Sequence, residues 1–474
     1  MDFKQSKFIH FIGIGGIGVS ALARICLLMG KKVTGSDMRE SVVTTSLQSL
    51  GAQVFLNHSA KNIISGVDLI VYTEDVNPTS SGYVELSEAK ERGIDTLKYS
   101  EALGSLVNEY YGIGVTGTNG KSTTTAILGL ILEEADFDPM VVLGSRLATI
   151  NESKEFIGNV RFGHGKHFVF EADEYHRHML DSRPKAVVLT NIEADHLDYY
   201  KDLDDIKSAF KQFIEHIPTE GFVIYNADDH NAAEVCLSSS SCNKVSYGMK
   251  NLKANYIATD VLVENQQQIF NVTGNGKNLG QFRLSIPGEY NLMNALGAIA
   301  AAAEMGVETD AIKRALDKFA GIWRRFEIVG KLEGKLIISD YAHHPTGISV
   351  ILAAAKQFYP GKKVLLVFQP HQKHRTKALF NEFTRALSGA DQLIITEIFS
   401  VAGREKDPDL KISSLDIVQK LVEQAPSDTN KSYAYAEDLT KAEELIIHAL
   451  PKVDVVILAG AGTIDQLARK LVSA

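Results

Sequence analysis

Short apolar runs alternate with helical patterns almost from one end of this chain to the other, and this alternation limits the fold more than any other feature. Phe8-Ile9-His10-Phe11-Ile12, Leu69-Ile70-Val71-Tyr72, Ala186-Val187-Val188-Leu189 and Val455-Val456-Ile457-Leu458 are typical runs. Strands separated by helices form βαβ units and predict parallel sheets covered by helices. At 474 residues the chain exceeds one ordinary core, so several domains are expected.

Three blocks separate. The first opens at Phe8, has further strands at Lys32-Val33-Thr34 and Leu69–Tyr72, and ends near Leu106. The second starts with Tyr111-Gly112-Ile113-Gly114-Val115-Thr116 and contains His167-Phe168-Val169-Phe170 and Ala186–Leu189. It also holds a β-rich stretch from Tyr256 to Leu284, with a hairpin turn predicted at Gly274-Asn275-Gly276, and a helix from Asn294 to Met305 stopped by Gly306. The third has strands at Leu336-Ile337-Ile338, Val364-Leu365-Leu366-Val367, Gln392-Leu393-Ile394-Ile395 and Val455–Leu458, after a hinge at Gly321-Ile322-Trp323. The division is 1–106, 107–321 and 322–474.

A net charge of −9 argues against a sequence-independent nucleic-acid binder, which needs a broad basic footprint. No apolar stretch approaches the length of a membrane span. The start, Met1 to Lys7, lacks the pattern of a signal peptide. The three cysteines (Cys26, Cys236, Cys242) form no CxxC pair, and a cytoplasmic, reduced protein is expected. Ser238-Ser239-Ser240-Ser241 reads as a surface loop.

Two motifs point to phosphates. Gly13-Ile14-Gly15-Gly16-Ile17-Gly18 follows the first strand and opens a helix, where glycines let the backbone approach an anion at the helix N-terminus. Asp37 stands 19 residues after Gly18 at the next strand's end. Alone, this pair favours an NAD-dependent dehydrogenase. Thr116-Gly117-Thr118-Asn119-Gly120-Lys121-Ser122-Thr123 sits between a strand and a helix in the second block. It reads as a P-loop: backbone N–H groups cradle phosphates, Lys121 offsets β/γ charge and Ser122 can hold Mg²⁺. Val115 stands where the strict pattern has glycine. Two nucleotide-type turns a hundred residues apart leave no room for a dehydrogenase's catalytic domain. A transfer between two phosphorylated ligands becomes the leading reading, with a non-catalytic nucleotide-binding module as another.

Further chemistry-bearing residues end strands. Glu171-Ala172-Asp173-Glu174-Tyr175 and Asn191-Ile192-Glu193-Ala194-Asp195-His196 place carboxylates and an imidazole where α/β sheets bind ligands. Some of Asp173, Glu193 and Asp195 are expected to be solvated loop acids. Arg324-Arg325-Phe326-Glu327, Asp340-Tyr341-Ala342-His343-His344-Pro345-Thr346 and Gln369-Pro370-His371-Gln372-Lys373-His374-Arg375-Thr376 follow in the third block. Their four histidines match no common zinc spacing.

Taken in order, with Pro287-Gly288-Glu289-Tyr290-Asn291 and the late Leu458-Ala459-Gly460-Ala461-Gly462-Thr463, these motifs resemble the Mur ligases over essentially the whole chain. The resemblance implies an α/β chain of three domains: N-terminal Rossmann-like, central P-loop ATPase-type, and C-terminal Rossmann-like. It is strongest to members that use ATP and Mg²⁺ to join L-alanine to UDP-N-acetylmuramate, a step of peptidoglycan synthesis. Members that attach a recovered peptide to the same acceptor resemble the chain less. The implied partners are small molecules, with no nucleic acid or membrane, and the chain is expected to be a monomer or weak homodimer.

By resemblance, Gly13, Gly15, Gly16, Ile17, Gly18, Ser36 and Asp37 bind the UDP substrate, with Glu174, His344 and Arg375 also on the substrates. Gly117, Thr118, Asn119, Gly120, Lys121, Ser122, Thr123, Asn291, Arg325 and Asp340 bind ATP. Ser122, Glu171 and His196 hold Mg²⁺, and Lys121, Glu171, His196, Arg325 and His343 carry the chemistry. Three positions depart from the usual pattern of the alanine-adding members: Asn119 and Tyr290 replace histidines, and Gln372 replaces an arginine.

Overall fold

The computed structural model describes residues 3–147, 156–197, 199–240, 242–400, 410–424 and 431–473. Met1, Asp2 and Ser241 of the segments named above lie outside the described residues.

The first sheet has five parallel strands in the order Gln53–Leu56, Lys32–Asp37, Phe8–Ile12, Leu69–Tyr72, Asp95–Lys98. The chain reverses its winding direction beside Phe8–Ile12, and the Gly13–Gly18 turn leaves that strand's carboxyl end. A crevice outside the strand ends at such a switch point is the ligand position of open α/β sheets.

The central sheet has eleven strands. Its parallel middle carries Tyr111–Thr116 between His167–Glu171 and Ala186–Leu189. Antiparallel strands extend it at both ends, including the ribbon Tyr256–Glu264, Gln267–Gly274 and Lys277–Leu284. The expected hairpin turn is there: Asn275 and Gly276 both have positive φ, 47° and 75°, as a primed two-residue turn requires. The following helix runs Glu289–Glu304, five residues longer at its start than its apolar pattern predicts.

The third sheet runs Glu327–Leu332, Lys335–Asp340, Val455–Ala459, Val364–Phe368, Gln392–Thr396, Ser432–Ala436, parallel except for the first pair. Buried clusters cover both of its faces. The Asp340, Gln369 and Gly460 segments therefore all emerge from one edge.

The first two sheets share a core: one buried cluster runs from Phe3, Ile9 and Leu106 through Met140 and Phe168 to Cys236. Gly104 lets the helix Tyr99–Val107 lie against the Tyr175–Asp181 turn, since a Cβ there would stand 2.2 Å from the Asp181 carbonyl oxygen. The expected hinge is tied to the central domain: Trp323 N–H donates to the Arg146 carbonyl at 2.8 Å, and Ile322 bridges Leu147. The serine run is not wholly a surface loop, because Ser239 is buried and its carbonyl accepts from Lys244. Cys26 and Cys236 are buried in the shared core, and burial pushes the Cys26 thiol up to about 12.

Candidate active site between two anion-binding turns

A cleft of about 480 Å³ opens between the first two domains. Gly16, Ile17 and Gly18 line one wall, and Lys121, Glu171 and Asp173 line the other. The two turns recognised in sequence thus face each other.

On the first wall, Gly13 and Ile14 donate backbone N–H to the Ser36 carbonyl at 2.9 and 3.0 Å. Gly15 N–H donates to Asp37 Oδ2 at 2.9 Å. Two glycines are needed for space: a Cβ at Gly15 would meet Asp37 Oδ2 at 2.8 Å, and one at Gly18 would meet the Tyr99 ring at 2.6 Å. Ser36 and Asp37 therefore shape the turn. The Ser36 hydroxyl is fully buried and donates to Glu85 Oε2 at 2.5 Å, so it is not presented to a ligand. Glu85 also takes hydrogen bonds from Asn62 Nδ2 (2.6 Å) and Ser59 N–H (3.0 Å), and lies 3.2 Å from His10 Nε2. Burial opposes its ionisation, but the bonds from His10, His58 and Ser36 prevail and hold its carboxyl well below the usual carboxylate range.

On the second wall, Gly120 adopts φ 89° at the N-cap of the helix Lys121–Glu134. The P-loop is braced by the next strand's loop: Thr118 N–H donates to the Asn191 carbonyl (3.0 Å), Asn119 N–H to Asn191 Oδ1 (2.9 Å), and Thr190 Oγ1 to the Asn119 carbonyl (2.6 Å). Thr123 is buried in the helix's first turn. Lys121 Nζ donates to the Gly117 carbonyl at 2.6 Å and pairs with Glu174 at 2.7 Å. Burial works against its charge, but Glu174, Asp173 and Glu171 more than offset it, so the ammonium is retained. Glu174 therefore faces the P-loop lysine rather than the first-domain turn.

The three expected Mg²⁺ ligands divide. Ser122 Oγ donates to Glu171 Oε2 at 3.0 Å, and Gly144 N–H to Glu171 Oε1 at 2.5 Å. His196 stands apart beside Glu174, 3.8 Å away, with its ring 4.5 Å from Tyr175. Among the described residues no group of three or more His, Cys, Asp or Glu converges on one point. Ser122 and Glu171 still fit Mg²⁺, which is content with one or two protein oxygens when phosphates and water complete its shell. His196, His176 and Arg177 have φ of 53°, 51° and 60°, backbone values that non-glycine residues hold only where surrounding structure imposes them.

The third domain packs on the central one at the strand Tyr256–Glu264, where Val263 joins its core, and its charges reach the helix Glu289–Glu304. Asn291 is buried, its amide donating to the Pro287 carbonyl at 2.7 Å. The adjacent Tyr290 feels the charges of Asp340 and Arg325. The two arginines differ. Arg324 is buried, donates to the Gly460 carbonyl and lies 4.8 Å from the Tyr341 ring centre, whereas Arg325 is exposed. Asp340 is buried with both oxygens taken, by Phe326 N–H and Ala342 N–H at 2.7 Å each; in this arrangement it joins two loops. His343 Nδ1 is 3.0 Å from the Tyr341 carbonyl, and burial depresses its pKa to about 4. His344 is exposed at the N-cap of Pro345–Phe358. Arg375 lies 3.4 Å from His371 and feels Asp195 of the central domain. Gln372 has φ 68°, an unusual setting for its side chain.

Tyr99, which also lines the cleft, escaped sequence reasoning because it stands in no glycine-rich or strand-end motif, and His178, in the run that continues Glu171–Tyr175, was given no role there. Asp173, there weighed as a loop acid, lines it too.

Three α/β domains, with a P-loop-type turn on the middle one facing a glycine turn on the first, fit a nucleotide-driven ligase, and the chain belongs to the Mur ligase family. Models of the Mur ligase family catalytic domain, the Mur ligase middle domain and the Mur ligase glutamate ligase domain match residues 8–111, 115–302 and 324–462. Among relatives, a UDP-N-acetylmuramate–L-alanine ligase of Caldanaerobacter subterraneus is 39% identical, over 99% of this chain and 98% of its own. That of Clostridium kluyveri is also 39% identical, over 98% of each chain. The crystal structure of the UDP-N-acetylmuramate-alanine ligase MurC of Thermotoga maritima superposes with a TM-score of 0.81 at 28% identity, covering 98% of both chains. A murein peptide ligase from Psychrobacter arcticus shares the fold with a TM-score of 0.69 at 23% identity over 98% of both. Family membership removes the dehydrogenase reading of the first turn. Among the described residues no helix is long and apolar enough to cross a membrane.

Proposed function

We propose that this chain joins L-alanine to the carboxylate of UDP-N-acetylmuramate, consuming ATP and releasing ADP and phosphate in the cytoplasm, as a monomer or weak homodimer. The observation that carries this reading is the cleft in which the Gly16–Gly18 turn faces Lys121 and Glu171. Two anions have to meet for a carboxylate to be phosphorylated, and each has a cationic or N–H-rich wall.

Residues 1–106 hold the UDP substrate at the glycine turn. Residues 107–321 hold ATP, with the P-loop N–H groups and Lys121 on its phosphates. Residues 322–474 close over the nucleotide, Arg325 adding positive charge, and bring His343 and Arg375 to the amino acid. Ser122 and Glu171 would hold Mg²⁺, which offsets phosphate charge when bound. A carboxylate is a poor acyl donor. Transfer of the γ-phosphoryl group gives an acyl phosphate, the alanine amine attacks its carbonyl carbon, and phosphate leaves. At pH 7 His343 is neutral with its Nδ1 toward the Tyr341 carbonyl, so it sets no positive charge against the incoming amine, whose proton leaves to the departing phosphate. Closure excludes water from the acyl phosphate.

The test is phosphate release from ATP, Mg²⁺ and UDP-N-acetylmuramate on adding L-alanine, glycine, L-serine or the L-Ala-γ-D-Glu-diaminopimelate tripeptide. L-alanine is expected to drive release best, with the product mass to match. A preference for the tripeptide would contradict the alanine assignment, and no release with any acceptor would overturn the ligase reading.

A further inference from the structure

The two walls of the cleft belong to different domains, so their spacing has to be fixed by something other than the sheets that carry them. Asn159 lies in the hairpin between the strands Phe156–Ile157 and Val160–Arg161 and is 1% exposed. Its amide has every group in use. Nδ2 donates to the Ile17 carbonyl, at the start of the first-domain helix, at 2.9 Å, and to the Leu143 carbonyl of the central domain at 2.8 Å. Oδ1 accepts from Arg24 Nη1 at 3.1 Å. The Asn159 carbonyl accepts from Leu143 N–H at 3.0 Å. The next residue, Gly144, donates its N–H to Glu171. A continuous chain of bonds thus runs from the glycine turn through one side chain to the carboxylate beside Ser122.

Arg24 marks this contact as specialised. It is 1% exposed, its Nε is without a hydrogen bond, and among the described residues it has no carboxylate partner. Burial and the nearby Arg146 lower its pKa to about 10. A buried cation is expensive to keep where only packing is needed.

We propose that Asn159 is a positioning residue: with Arg24 it sets the spacing between the first-domain turn and the Glu171 side of the cleft, and so the approach of carboxylate to γ-phosphate. This rests on the ligase reading, and L-alanine-dependent phosphate release by the wild-type protein checks that reading separately in the same assay.

The experiment compares Asn159→Leu, Arg24→Met and Arg24→Lys with wild type. It measures thermal unfolding, the separate Kd values of UDP-N-acetylmuramate and ADP, and kcat. Folded Asn159→Leu is expected to bind each ligand within about threefold of wild type and to lose about a hundredfold in kcat, the scale of an ångström-sized misplacement. Arg24→Lys, whose ammonium keeps a long-reaching donor toward Asn159, is expected to retain more kcat than Arg24→Met. Unchanged kcat in folded Asn159→Leu, or a loss carried entirely by weaker binding of the UDP ligand, overturns the proposal. Equal kcat for the two Arg24 variants overturns it too, and that comparison stands even if Asn159→Leu does not fold.

Discussion

Lys121 folds back on its own loop and onto Glu174. Incoming nucleotide phosphates have to take over this ammonium, and removing it leaves their charge uncompensated. Lys121→Ala is expected to reduce kcat by about a hundredfold or more; undiminished turnover would contradict the P-loop role. The two adjacent arginines make opposite predictions. Arg324→Ala strips a donor from the Gly460 carbonyl and is expected to cost about 2 kcal/mol in denaturant unfolding. Arg325→Ala is expected to leave unfolding unchanged and raise the KM for ATP. If the two effects were exchanged, the assignment of Arg325 to the nucleotide would fail. His343 has a pH signature. Its pKa is about 4 in the folded chain against 6.5 unfolded, so the unfolded chain takes the proton first as pH falls. The stability it contributes is present above 6.5 and lost as pH drops toward 4. From pH 7 to pH 5 the melting temperature should therefore fall further for wild type than for His343→Gln, and parallel falls would refute the depressed imidazole pKa.

Among the structural elements, the glycine turn is held from below by the second strand and by Glu85 on the helix Tyr83–Glu91. Gly18→Ala pushes a methyl into the Tyr99 ring and is expected to raise the KM for the UDP substrate about tenfold, the scale of modest overpacking. An unchanged KM would place that substrate elsewhere. The strands that were legible in sequence are the fully apolar runs, such as Ala186–Leu189 and Val364–Phe368. Gln53–Leu56, Asp95–Lys98 and Ser432–Ala436 were not: they form sheet edges, half-exposed and mixed in composition, so no apolar run betrays them. The P-loop was readable because its glycines and lysine are local. The Glu85 network was not, since His10, Ser36, His58 and Glu85 are spread over 75 residues and meet only through sheet order.

Across the whole molecule, the chain sets a glycine turn and a P-loop on opposite walls of an interdomain cleft, with a third domain packed on the central one. Sequence order foretold the three blocks, but not that the first two share a core or that the Trp323 segment pairs with Arg146. Such contacts join residues more than a hundred positions apart and have no periodic signature. Nor could spacing reveal that His196 stands with Glu174 while Ser122 stands with Glu171. On the proposed reading the cleft makes an acyl phosphate from the two anions it brings face to face. The most direct measurement uses UDP-N-acetylmuramate carrying ¹⁸O in its carboxylate, turned over with ATP and L-alanine, followed by mass analysis of the released phosphate. One ¹⁸O in each phosphate is predicted, because the carboxylate oxygen attacks phosphorus and leaves with it. Phosphate free of the label would show that ATP is cleaved without the carboxylate and would contradict the account.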